Sequence, residues 1–456
     1  MQNDLFEKAP VHKAYFSFAL PVVFSMVISL IYNMADTYFI AGTGNTNLVA
    51  GVSLGAPIFT LMIALGDIFG LGGSSVISRL FGQKKDEDGK RLSVFCFYGA
   101  IVCGVIVAAV MMIFRAPILQ VLGADSDTIV YASQYYTWLV LGAPFIILVY
   151  TPSNLLRTEG FAVGSMTGTV LGAVVNIILD PVFIFVLDMG VVGAATATVI
   201  SQALSAVWVL RFLISAKSQI HLRISDLKPD VKILGSILAL GVSPFIMAAT
   251  ESAITIVMNH GLQTYGGDLY VGSMTILQSV LQLIFVPING FTNGVQPIIS
   301  YNFGAGQFER VKKAIKNMLI ITFLFSFAYV MFAMICPGVF AGMFTNDADL
   351  IDLVKRVLPI YIMGMSIFGL QSGIQSSFLG LGQAKISLCI AILRKVVLLI
   401  PFAVILPHFF GVMGVYYAEP IADIISVVTA CTLFLLNIRK ILSLDTLAKV
   451  THTDEK

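Results

Sequence analysis

Long apolar runs, separated by short polar connections, repeat along almost the whole chain. Runs long enough to cross a bilayer lie at approximately 14–40, 48–78, 92–114, 131–152, 161–187, 190–214, 233–259, 270–300, 312–335, 355–379, 386–408 and 412–437. About 20 apolar residues in helical form span a hydrocarbon core, so each run predicts a membrane-crossing α-helix. The expected fold class is an all-α polytopic membrane protein with twelve transmembrane helices, and no tail is long enough for a soluble domain. The first run follows Phe6-Glu7-Lys8, exceeds a signal-peptide core and lacks a small-residue cleavage site after it, so it reads as a retained span.

Twelve spans put both termini on one side. Connections after even-numbered runs carry Lys84, Lys85, Lys90 and Arg91, then Lys217, Arg223, Lys228 and Lys232, then Arg310, Lys312, Lys313 and Lys316. The opposite connections offer only Arg115, Lys355 and Arg356, so 24 of 27 basic residues lie on or near the side of the termini. The positive-inside rule makes that side cytoplasmic.

The pattern is duplicated. Gly72-Gly73-Ser74-Ser75-Val76-Ile77-Ser78-Arg79-Leu80-Phe81-Gly82 ends the second run, and Gly294-Val295-Gln296-Pro297-Ile298-Ile299-Ser300-Tyr301-Asn302-Phe303-Gly304 ends the eighth, 222 residues later. Pro21 answers Pro244, and Gly190-Val191-Val192-Gly193 answers Gly411-Val412-Met413-Gly414. Two related sets of six spans predict an N-terminal lobe over 1–214, a cytoplasmic linker over 215–232 and a C-terminal lobe over 233–456, the ground plan of an alternating-access carrier. Within the linker, Ile220, Leu222, Ile224 and Leu227 suggest a short strand or helix on the membrane surface.

Composition narrows the chemistry. The chain of 456 residues is 57% hydrophobic and 11% charged, with mean hydropathy +0.92, whereas a soluble domain carries roughly 25% charged residues. Cys96, Cys103, Cys336, Cys389 and Cys431 form no C-x-x-C pair and read as small buried side chains, not as disulfides or metal ligands. All five histidines fall near span ends or in tails, so coupling-ion chemistry has to come from carboxylates. No His/Cys/Asp/Glu set suited to an integral-membrane enzyme stands at the membrane boundary, so the chain is not expected to be an enzyme. A monomer in the lipid bilayer, without a nucleic-acid partner or cofactor, is expected.

Polar residues inside the runs carry the site hypotheses. Asn176 and Asp180 lie four apart, on one helical face, with Pro181 next to the acid. A carboxylate at that depth costs about 2.5–3.5 kcal/mol to insert and survives beside a cavity or partner. Asp36 has Tyr32 and Asn33 on its own face, and Thr198 follows a small-residue stretch from Gly193. Asp36, Asn176, Asp180 and Thr198 together offer two carboxylates, an amide oxygen and a hydroxyl, which suit Na⁺ or a shared proton equally. In the repeat, Asp36 corresponds to Asn259, and the region of Asn176 and Asp180 to Val396–Ile400, so these acids belong to one lobe. Glu251, Gln278 with Gln282, and Gln371 with Gln375 suit a wet substrate cleft, and interhelical hydrogen bonds explain the amides nearly as well. Arg394, Lys395, Glu419 and Asp423 are expected to form a structural inter-helix ion pair. Phe and Met side chains in such a cleft would receive bulky organic cations.

The connection Gly82-Gln83-Lys84-Lys85-Asp86-Glu87-Asp88-Gly89-Lys90-Arg91 looks like the major facilitator loop motif but departs from it at Glu87. A better match is carried by Gln296 to Ala305, its echo at Gly72 to Gly82, Asp36-Thr37, and Asn176 to Pro181, which together resemble the multidrug and toxic compound extrusion (MATE) family, closest to its bacterial drug-efflux branch. The resemblance implies a V-shaped, two-lobe exporter in the bacterial cytoplasmic membrane that exchanges organic cations for Na⁺ or H⁺. It places a cation site at Asp36, Asn176, Asp180 and Thr198. Glu251 matches an acid that other members carry on the seventh helix, but the tenth run has Gln371 and Gln375 where they have an acid. A lipid-linked precursor flippase of the broader superfamily is the alternative. It would need basic residues free to meet phosphate, and Arg394 and Lys395 are the deep candidates.

Overall fold

The computed structural model describes residues 6, 7, 9–124, 126–215, 218, 220, 222 and 231–443. Regular structure among them is helical. The membrane-length segments are α1 (His12–Ala41), α2 (Thr46–Gly82), α3 (Asp86–Ile113), α4 (Ile129–Leu141 and Ala143–Thr158), α5 (Ala162–Val186), α6 (Gly190–Ile214), α7 (Leu234–Tyr265), α8 (Asp268–Gly304), α9 (Phe308–Ile335), α10 (Ala348–Gly380), α11 (Ala384–Phe410) and α12 (Val412–Ile441). Each of the twelve expected runs overlaps one of them. Eleven are single segments, and α4 bends by 47° at Gly142, just before Pro144. Proline lacks an N–H, so the break falls where the backbone ladder already has to open. Exposed faces are apolar, as with Val102, Val105, Ile106, Val110 and Ile113 on α3, the surface a lipid-bathed helix presents.

The chain packs as two compact units. One comprises Met1–Ala9 and Leu20–Ala248, the other Pro10–Ala19 and Ala249–Lys456. The division by packing therefore runs through α1 and α7, not along 215–232. The start of α1 belongs with the second unit, and the start of α7 with the first. The duplicated glycine motif accounts for both exchanges. A Cβ on Gly72 would stand 2.6 Å from the Ile237 carbonyl oxygen and 2.9 Å from the Gly241 nitrogen, and one on Gly294 would stand 2.7 Å from the Ala19 Cα. Real side chains do not tolerate such distances, so glycine at these two positions lets α2 receive the start of α7 and α8 receive the start of α1 backbone to backbone. The repeated motif is thus a repeated helix-crossing device.

Several helices widen locally. π-helical turns occupy Ile68–Gly72 in α2, Val182–Val186 in α5 and Leu393–Leu399 in α11. Such turns commonly mark functional positions. The surface strand or helix expected within Ser215–Asp230 lies largely outside the described residues. Of that stretch, Ser218 Oγ and Ile220 N–H both donate to Glu159 at 2.6 Å, anchoring the segment to the end of α4.

The second unit has an apolar core in which Met258, Leu277, Val354 and Tyr416 are each fully buried. Buried polar side chains of the same unit include the charged residues Arg394, Lys395, Glu419 and Asp423.

Candidate functional site

The site in the first unit is built on a ridge of α5. Gly164, Gly168, Gly172, Asn176 and Asp180 recur every fourth residue and are all buried, which is the i±4 row that helix packing uses. Its glycines admit α6 closely. A Cβ on Gly168 would meet Val209 Cγ2 at 2.6 Å, and one on Gly172 the Ser201 carbonyl oxygen at 3.2 Å. Ser205 Oγ donates to the Gly168 carbonyl at 2.9 Å across the same seam. That approach leaves Asn176 and Asp180 at 1% and 0% exposure. Pro181 follows, with the π turn Val182–Val186 after it, and a Cβ on Gly193 would stand 2.8 Å from the Phe183 carbonyl carbon. The start of α6 is thereby set against the wide turn, and Thr198 is carried to the site.

Within this frame Asn176 Nδ2 donates to Asp180 Oδ1 at 3.3 Å. The Asp36 and Asp180 carboxyl groups come within reach of a shared hydrogen bond. As carboxylates neither has a proton to offer, and Asp36 Oδ1, Asn176 Oδ1 and Asp180 Oδ2 are buried without a donor. Buried acceptors are ordinarily satisfied. Unpartnered oxygens on two neighbouring acids and an adjacent amide are groups that a small cation, or a proton with water, can satisfy. The donor set is all oxygen, as Na⁺ prefers, and two adjacent acids equally suit proton sharing.

A cavity of about 330 Å³ lies against this centre. Asp36 and Thr198 line it, together with Tyr32, Asn33, Thr37 and Tyr135, while the buried Asn176 and Asp180 do not. Gln202 Nε2 donates to Tyr32 Oη at 3.4 Å, which ties α1 to α6. The volume is at the low end for small-molecule pockets, and ample for an ion with water.

Sequence reasoning missed Tyr135, which lines the cavity and lies near both acids. No periodic signal distinguishes it from the other α4 aromatics. Arg157 was also not singled out. It is 8% exposed on α4, donates to Asn154 Oδ1 at 3.3 Å and faces the charge of Asp67. A Cβ on Gly70 would lie 2.6 Å from Asn154 Nδ2, so the glycines after Asp67 make room for this part of α4.

The remaining candidates lie in the second unit. Arg394 donates through Nε to Asp423 Oδ1 at 2.7 Å and through Nη2 to Glu419 Oε1 at 3.2 Å, with its guanidinium 4.6 Å from the Phe368 ring centre. Lys395 turns instead to Glu251, Nζ to Oε2 at 2.6 Å, so two separate ion-pair groups replace one set of four. Gln278 Nε2 donates to Thr255 Oγ1 at 3.2 Å, and Thr255 Oγ1 to the Glu251 carbonyl at 3.1 Å. Gln282 is exposed, Gln375 is 8% exposed, and Gln371 is fully buried with neither amide atom partnered.

Duplicated helical repeats, irregular turns inside long apolar helices and buried acids within them that keep unpartnered oxygens define a class, the multi-pass membrane transporters. Comparison with known proteins makes the class specific. The MatE family profile matches twice, over residues 21–182 and 244–405, once in each repeat. The multidrug export protein MepA of Staphylococcus aureus (strain MSSA476) is 32% identical over 442 residues, covering 97% of each chain. The crystal structure of MATE in complex with MaD3S superposes with a TM-score of 0.90 at 26% identity, covering 96% of this chain and 98% of that one. A transporter of the MOP superfamily from Pyrococcus furiosus, described as having a binding pocket of reverse polarity that suggests a different function, superposes with a TM-score of 0.89 at 26% identity, over 97% and 99%. This chain belongs to the MatE family. The partial major facilitator motif at Gly82–Arg91 is accordingly a coincidence of a charged turn.

Proposed function

We propose that this protein exports organic, commonly cationic, drugs across the bacterial cytoplasmic membrane, with its termini on the cytoplasmic side, and that Na⁺ or H⁺ entering at Asp36 and Asp180 drives the export by alternating access. The nearness of the Asp36 and Asp180 carboxyl groups, with Asp36 Oδ1, Asn176 Oδ1 and Asp180 Oδ2 each lacking a donor, carries the reading. The 32% identity to a multidrug export protein along nearly the whole chain supports the substrate class. Coupling needs the ion and the drug to differ in affinity between two states of the carrier. An ion bridging two carboxylates supplies such a difference, because it binds tightly only while α1 and α5 hold the acids together.

The flippase alternative needs deep bases that can meet phosphate. Arg394 and Lys395 are both engaged by carboxylates, so the two bases that the sequence offered for it do not support that reading.

Ethidium efflux from inverted or right-side-out vesicles, with Na⁺ and pH gradients imposed separately, tests the proposal. One gradient is expected to accelerate efflux and its collapse to abolish it. Efflux indifferent to both gradients would overturn ion coupling.

A further inference from the structure

The cluster in the second unit carries an inference that goes beyond the proposed coupling site and does not depend on it. Glu251 is 44% exposed at its side chain, while the ammonium group that pairs with it belongs to Lys395, 3% exposed. The accessible partner is the acid, and the cation that satisfies it comes from inside the protein. Lys395 follows Arg394 directly, yet both are buried, at 2% and 0%. A regular helix turns consecutive side chains about 100° apart, and the π-helical stretch Leu393–Leu399 is where this pair is brought inward.

Arg394 cannot substitute for Lys395. It is fixed by Asp423 at 2.7 Å and Glu419 at 3.2 Å and by its contact with Phe368 at 4.6 Å. Glu419 and Asp423 have side chains only 4% and 1% exposed, so bulk ions do not reach them. Together the two ion-pair groups hold three carboxylates and two bases. Among these acids Glu251 has by far the most exposed side chain, and a protein ammonium already sits on it.

A lysine ammonium carries the same single charge as Na⁺ or an alkylammonium ion, on a stem that cannot leave. We propose that Lys395 is a tethered cation that closes the Glu251 site to exchangeable monovalent cations, and that removing it opens a new cation site in the second unit. On this view Lys395 keeps exchangeable cations off Glu251.

Equilibrium binding of radiolabelled Na⁺ and, separately, of radiolabelled tetraphenylphosphonium to the purified full-length protein tests this, the two probes distinguishing an inorganic from an organic occupant. Lys395→Met is expected to gain one site per chain for at least one probe, and Glu251→Gln/Lys395→Met to lose that gain. The double variant, which removes both charges together, should bind each probe with the stoichiometry of the unmodified protein. A well-folded Lys395→Met with no added site would overturn the proposal. So would a double variant that binds one cation fewer than the unmodified protein, since Glu251 would then have been an open site all along. Asp36 and Asp180 are unchanged in every variant, so failure of the coupling reading would shift the common background and leave these differences intact.

Discussion

Replacing Arg394 with methionine should be among the most damaging single changes in the second unit. The guanidinium is 0% exposed and bonds Asp423 at 2.7 Å and Glu419 at 3.2 Å. Methionine retains much of the stem volume but leaves both buried carboxylates without this base. Breaking a buried ion pair by deleting one partner costs about 3–5 kcal/mol. Loss of the contacts with Phe368 at 4.6 Å and Phe285 at 5.7 Å adds roughly 0.5–2 kcal/mol, partly offset by the thioether packing on the same rings. For a unit of this size each kcal/mol moves the midpoint by about 2–4 °C, so a fall on the order of 10 °C is expected. Thermal unfolding of the purified protein in detergent, followed by circular dichroism, measures it. The triple variant Arg394→Met/Glu419→Gln/Asp423→Asn should recover most of the loss, because the stranded charges go with their partner. A single variant that melts within about 1 °C of the parent, or a triple variant less stable than the single, would refute the reasoning.

Gly72→Ala and Gly294→Ala should each destabilise the protein by roughly 1–3 kcal/mol, since the added Cβ meets backbone at 2.6 and 2.7 Å. Thermal melting checks this, and a neutral result at both sites would remove the close-crossing account of the repeat. Glu159→Ala should leave the α4 anchor of Ser218 and Ile220 unmade and make the segment after α6 more sensitive to limited proteolysis, read as faster cleavage between α6 and α7. An unchanged cleavage rate would show that the two hydrogen bonds do not restrain it.

Much of the architecture is legible because a bilayer enforces it. Apolar length marks each helix, and the Gly72 and Gly294 motifs announce the duplication. The four-residue spacing of Asn176 and Asp180 suffices to place them on one face, where they hydrogen-bond. Contacts across helices are a different matter. Lys395 and Glu251 lie 144 residues apart, and nothing in either local pattern selects one acid over Glu419 or Asp423. The passage of the α1 and α7 starts into opposite units depends on backbone approach at two glycines, which periodicity does not encode. Tyr135 stayed hidden because an aromatic on an apolar helix usually packs, and only the folded cavity shows that this one faces the acids.

The central claim, that Asp36 and Asp180 jointly hold the driving ion, is tested most directly in proteoliposomes containing purified Asp36→Asn or Asp180→Asn protein. Ion-gradient-driven efflux of a cationic dye should fall to the protein-free level in each variant, while the melting temperature stays within a few degrees of the parent. Gradient-driven efflux at the parent rate in both variants would contradict the account.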